Sequence, residues 1–121
     1  YEISECLVGS EMCIRDRNDK GILINQHESP YYKEYAYEMR RAHKKLASVF
    51  SIATVYQFYM PTYSSGHWLC GFASKGLDPV KDADFKRWSE FGLQNRYYNP
   101  GVHLGAFALP NYVQEELQKE D

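Results

Sequence analysis

Apolar positions fall in short blocks whose spacing changes along the chain. "GILINQ", Gly21 to Gln26, is a β-branched apolar run bounded by "NDKG". That composition suits a buried strand with little alternation, as in a parallel sheet. Ser29 is a good N-cap and Pro30 a good first helical residue, so a helix is predicted from Pro30 to about Phe50. Within it Tyr35, Met39, Ala42, Leu46 and Val49 recur at helical steps and form one apolar stripe. Glu34, Glu38, Arg40, Arg41, Lys44 and Lys45 lie largely off that stripe, with acids early and lysines late as the helix dipole prefers. A second strand is predicted from Ile52 to about Met60, ending at Pro61, and a third from His67 to about Ser74. Ser64, Ser65 and Gly66 supply a turn between them, so these two strands should pair antiparallel. The order strand, helix, strand, hairpin, strand implies an α/β fold. Its sheet would be mixed, with two strands running parallel through a helical crossover and a reversed final strand. Downstream, "DADFKRWSEFG" reads as a short helix with Phe85, Trp88 and Phe91 inward and Gly92 as its stop. "LQNRYYNPGVHLGAF" reads as irregular or short strand, and "LPNYVQEELQKED" as a closing helix with Tyr112, Val113 and Leu117 apolar.

Composition narrows the function. A chain of 121 residues makes one small domain, and a net charge of −2 gives no basic surface for nucleic acid. No apolar run is long enough to span a bilayer. Cys6, Cys13 and Cys70 are an odd number without metal-like spacing, which fits reduced thiols in a cytoplasmic protein. Aromatic residues are 16% of the chain, with 11 tyrosines, a side chain suited to half-buried pockets and interfaces. Residues Tyr1–Arg17, "YEISECLVGSEMCIRDR", resemble a translated transposase-type sequencing adapter. They show no sustained period and no caps, and are expected to be non-native and outside the fold.

Two loops carry candidate chemistry. "NQHES" stands where a strand ends and a helix begins, and in open α/β sheets ligands bind outside the carboxyl ends of strands. Gln26 can donate and accept hydrogen bonds, and Glu28 can pair with a cation; the plainer alternative is that this loop merely caps the next helix. "PTYSSGHW" follows the next strand of the crossover, so its turn should share the same edge of the sheet. The Tyr63 hydroxyl and the Trp68 face would make a wall for an alkylamine, through cation–π contact with the ammonium and apolar contact with its methylenes. The plainer alternative is a hairpin whose rings shield the sheet end. His27, His43, His67, His103 and Cys70 have no ligand spacing, so no metal is expected. Cys70 lies inside an apolar strand, where a free cysteine is usually a small core residue.

"GILINQHESPYY", "PTYSSGHWLCGFASK" and "YYNPGVHLGAFALPNYV" together resemble the C-terminal half of spermidine synthase, a polyamine aminopropyltransferase. The resemblance covers nearly all of Asn18 to about Leu117. It implies the C-terminal part of a Rossmann-like, methyltransferase-type catalytic domain over residues 18–121. It also implies transfer of an aminopropyl group from decarboxylated S-adenosylmethionine, as co-substrate, to putrescine, with no cofactor or metal. By motif, Tyr63 looks like the tyrosine that hydrogen-bonds the attacking amine, the one catalytic assignment. Gln26 looks like the amide lining the diamine site, Trp68 like its apolar wall, and Glu28 like a water-mediated contact for the far ammonium. Ser64 stands where the family often has proline. The glycine-rich acidic motif that holds the nucleoside and the loop bearing the catalytic aspartate are missing from this sequence, so the chain alone is expected neither to bind the donor nor to catalyse transfer. The resemblance implies a homodimeric or homotetrameric parent. Other readings are a transferase for spermidine, agmatine or cadaverine, a non-catalytic polyamine-binding relative, and an α/β fragment without function of its own.

Overall fold

The computed structural model describes residues 20–119, and the expectation for Tyr1–Arg17 lies outside them. Strand β1 is Ile22–Gln26, β2 is Ile52–Tyr59 and β3 is His67–Ser74. Helix α1, Lys33–Ala47, connects β1 to β2; α2 (Phe85–Glu90), α3 (Pro100–Ala106) and α4 (Asn111–Gln118) follow the sheet. The strand order is β1-β3-β2, and both ladders are antiparallel. So β1 and β2 run in the same direction through a helical crossover, and the reversed last strand lies between them. The two parallel-running strands are therefore not neighbours, and among the described residues no parallel ladder forms. The register sets Gln26 opposite Cys70 and Tyr56 opposite the same cysteine, while Tyr59 meets His67 at the turn end.

One side of the sheet is well covered. Leu23 and Ala73 pack with Leu46 and Phe50, while Val55 and Leu69 pack with Met39 of α1 and Val113 of α4. The buried stripe of α1 is Ala36, Met39, Arg40 and Leu46, one position away from the stripe expected at its start. Tyr35 faces out, and Arg40, expected at the surface, is buried against Glu116 of α4 in an ion pair. The side-chain count of the sequence could not show this, because the partner lies 76 residues away. The helix is also shorter than expected. Its N-cap is Tyr32, without a side-chain cap, and the Ser29 hydroxyl instead accepts from the Tyr31 N–H.

The other side of the sheet is only partly covered. Phe107, just past α3, packs against Tyr56 and Phe72 and leaves a cavity of about 410 Å³ bordered by Ile22, Ile24, Phe58, Phe72 and Tyr98. For that reason β1 alternates, with Leu23 buried and Ile22 and Ile24 open, where continuous burial was expected. His103 of α3 closes the cavity floor. Its Nε2–H donates to the Pro79 carbonyl at 2.7 Å, so its Nδ1 accepts from the Tyr98 hydroxyl at 2.8 Å. Helix α3 replaces the irregular stretch expected there. Its signal was present in the sequence: the Asn99 side chain accepts from the Val102 N–H at 2.8 Å, with Pro100 at the first helical position. In α2, Phe85 and Trp88 pack inward on His103 and Tyr98, whereas Phe91 is exposed and lies under Arg87. Among the described residues no helix is long and apolar enough to cross a membrane.

Candidate functional site

The turn between β2 and β3 is built by its own backbone. The Met60 N–H donates to Gly66 O at 3.0 Å, Tyr63 N–H to Met60 O at 3.0 Å, and Gly66 N–H to Tyr63 O at 3.1 Å. To close it, Ser65 takes φ +70° and Gly66 φ +71°. Glycine adopts this region freely, whereas a serine there is held by its surroundings. Those surroundings are hydrogen bonds: the His67 N–H donates to Ser65 Oγ and the Ser65 hydroxyl to His67 O, each at 3.3 Å.

Ser65 also reaches the other loop. Its Oγ lies 3.0 Å from the Oγ of Ser29, which is fully buried. Because the Ser65 proton goes to His67 O, Ser29 is the donor of this pair. The loop after β1 and the turn after β2 are thus fastened together at one edge of the sheet, as the crossover implied.

Trp68 and Tyr63 face each other across this turn. Their rings meet edge to face at 5.1 Å between centroids, and the Trp68 Nε1–H donates to the Ser64 carbonyl at 3.3 Å. Trp68 further touches Tyr35 of α1 at 6.2 Å, and Tyr35 touches Tyr32 at 5.6 Å. Tyr63 is exposed and Trp68 half-buried, so the pair forms an aromatic wall open to solvent. Shielding of the turn and service as a ligand wall are compatible here, because the indole N–H is used by the turn while the Tyr63 side chain remains exposed. Gln26 is exposed at the end of β1 and Glu28 is half-buried in the loop. By the alternation of the strands, Gln26, Cys70 and Trp68 project to one side of the sheet.

The histidines act structurally in three different ways. His27, between Gln26 and Glu28, is buried, and its backbone N–H continues the ladder to Leu69 O at 2.9 Å. Its ring lies on Gly71, where an added Cβ would come within 2.6 Å of Nε2. Burial, and then the neighbouring His43, push its pKa down to about 4. His43 is half-buried, with its pKa lowered by burial. His67 is buried and hydrogen-bonded at both nitrogens. Cys70 is half-buried against Tyr56, and burial raises its pKa, which works against a thiolate nucleophile. Among the described residues no three His, Cys, Asp or Glu side chains cluster as a metal site would require.

Sequence reasoning missed Ser29 and Ser65 as the link between the loops, since neither residue type has a pattern announcing a tertiary partner. It also missed Tyr31, whose ring packs at 5.6 Å on Tyr112 and 5.7 Å from His67.

Residues 10–84 match the family model for the spermine/spermidine synthase domain. The chain belongs to that family. It is 58% identical over 109 residues to a polyamine aminopropyltransferase of Clostridium acetobutylicum, covering 90% of this chain and 38% of that protein. The polyamine aminopropyltransferase of Alkaliphilus oremlandii is 55% identical, with the same coverage. Among solved structures, spermidine synthase from Thermotoga maritima superposes with a TM-score of 0.80 at 38% identity, over 88% of this chain and 37% of that one. A spermidine synthase in complex with the transition-state analogue AdoDATO superposes equally well, with a TM-score of 0.80. The chain therefore spans somewhat more than a third of the length of the family members it matches, 38% for the curated relatives, and the sheet it holds is a partial methyltransferase-like fold.

Proposed function

We propose that residues 18–121 are the C-terminal part of the catalytic domain of an aminopropyltransferase, and that they carry the acceptor side of its site. The observation that supports this reading is the Ser29–Ser65 hydrogen bond, which ties the segment after β1, next to Gln26 and Glu28, to the turn next to Tyr63 and Trp68.

The reaction is a displacement. The neutral amine of putrescine attacks the aminopropyl carbon of decarboxylated S-adenosylmethionine. A C–N bond forms, the C–S bond breaks, and methylthioadenosine leaves with the electron pair on sulfur. The proton lost by the new secondary ammonium goes to a carboxylate, which in this reading belongs to the rest of the parent protein. An ammonium has no lone pair, so the site must hold the amine deprotonated and in line with the donor carbon. Tyr63 is the residue we assign to that task, its exposed hydroxyl accepting from the attacking amine. Trp68 lies along the methylenes, Gln26 lines the diamine path, and Glu28 holds the far ammonium through water. The donor is a co-substrate, and no step requires a metal. Family membership and the names of the relatives support the reaction class.

A chimera tests the reading. Residues 18–119 would replace the matching segment of the Clostridium acetobutylicum relative, and spermidine formation from putrescine would be assayed. Formation at a rate within about tenfold of that relative is expected. A folded chimera that makes no spermidine overturns the assignment.

A further inference from the structure

We propose that Tyr112 of α4 is a positioning residue: through His67 it holds the turn that bears Tyr63 and Trp68, so the last helix sets the geometry of the amine wall. The functional half of this inference rests on the reading above; the coupling itself does not.

The hydrogen bonds fix their own directions. The Gln57 side-chain NH₂ donates to the Ala108 carbonyl at 3.1 Å, which turns Gln57 Oε1 toward His67 at 2.8 Å. His67 must then carry its proton on Nε2 to donate to that oxygen. Its Nδ1 is left as an acceptor, and the Tyr112 hydroxyl donates to it at 2.9 Å. The segment from Ala108 to Tyr112 therefore holds the His67 ring from both sides and selects one tautomer.

From His67 the effect runs straight into the turn. The backbone of His67 exchanges hydrogen bonds with Ser65, the residue kept at positive φ, and Ser65 meets Ser29. Trp68 is the next residue along β3, and its indole N–H closes back on Ser64. Tyr112 also stacks on Tyr31, in the loop that follows Glu28. One side chain thus touches both loops of the site.

Helix α4 does not need this hydroxyl to dock. Val113 is fully buried among Met39, Val55 and Leu69, and Glu116 pairs with Arg40. Removing only the Tyr112 oxygen leaves those anchors, and the Tyr31 stack, in place. What is lost is the restraint on His67 and the hydroxyl's hydrogen bond with Tyr31.

The test uses the ¹⁵N-labelled 121-residue chain and its Tyr112→Phe variant. Trp88→Phe assigns the indole signals, since Trp68 and Trp88 are the only tryptophans. In Tyr112→Phe the Trp68 indole resonance should shift and its solvent exchange should quicken about fivefold or more, while the chain stays folded. An indole signal and exchange rate within twofold of the parent chain would overturn the coupling. Should Tyr112→Phe not fold, His67→Phe, which keeps a ring but no nitrogens, must give the same Trp68 change, and its absence there overturns the proposal equally. Titration with putrescine separates the two halves. If the parent chain shows no Trp68 response to the amine, the acceptor-site reading fails while the exchange result still decides the coupling. If it responds, the Tyr112→Phe response should need several-fold more putrescine.

Discussion

The Ser29 and Ser65 hydroxyls meet at 3.0 Å across 36 residues of chain and tie the loop after β1 to the turn after β2. Ser29 is wholly buried but Ser65 is exposed, so removing the Ser29 hydroxyl loses one hydrogen bond while water can serve the Ser65 hydroxyl. Ser29→Ala should cost about 0.5–1.5 kcal/mol in urea unfolding. Ser65→Gly leaves the buried Ser29 hydroxyl without that partner, a cost of about 1–3 kcal/mol, but relieves a backbone at φ +70°, worth on the order of 1 kcal/mol, so its net cost should be about 0–2 kcal/mol.

Arg40 and Glu116 join α1 to α4 with side chains only 9% and 15% exposed. Breaking such a pair takes the close carboxylate away from a buried guanidinium. Glu116→Ala should destabilise by roughly 2–4 kcal/mol, more than Glu38→Ala, whose pairing with Arg41 is more than half exposed and worth well under 1 kcal/mol. Paired thermal or urea melts of the two variants check the contrast.

Gly71 is required by the ring above it. A methyl there would overlap His27 Nε2, and the ring cannot easily retreat because the His27 backbone is bound into the ladder. Gly71→Ala should cost about 1–3 kcal/mol. The double variant with His27→Ala should lose less than the sum of the two, which a double-mutant cycle reads directly.

Acid should weaken the fold through His27. Its folded pKa is depressed, so the native chain favours the neutral ring. As pH falls below the ordinary value of 6.5 the unfolded chain takes up a proton, while the folded chain does so only near 4. The stability is therefore fully present above about pH 6.5 and is lost as pH drops toward 4, at up to about 1.4 kcal/mol per pH unit. His43 and His67 are lowered too and act in the same direction. Unfolding free energies between pH 4.5 and 7.5 should show this slope, flattened in His27→Asn.

Much of this architecture was legible in the sequence. Pro61 and the Ser64–Gly66 turn bounded β2 and β3 closely, because local turn chemistry decides where a hairpin bends. The placing of β3 between the other strands was not legible, since pairing of β1 with β3 is a long-range choice with no local signature. The early face of α1 was misread for a similar reason: Arg40 counted as solvent-facing until Glu116 supplied its partner. At the site, Tyr63 and Trp68 stood out as rings at a sheet end, and the resemblance supplied their roles. The serines and Tyr112 that hold them did not stand out, because a hydroxyl becomes informative only once its partner is known.

The most direct measurement is the putrescine kinetics of the chimera carrying Tyr63→Phe. If Tyr63 holds the attacking amine, kcat for spermidine formation should fall on the order of 100-fold, with KM for putrescine changed only a few-fold. A Tyr63→Phe chimera that turns over within twofold of its parent would contradict the acceptor-site assignment.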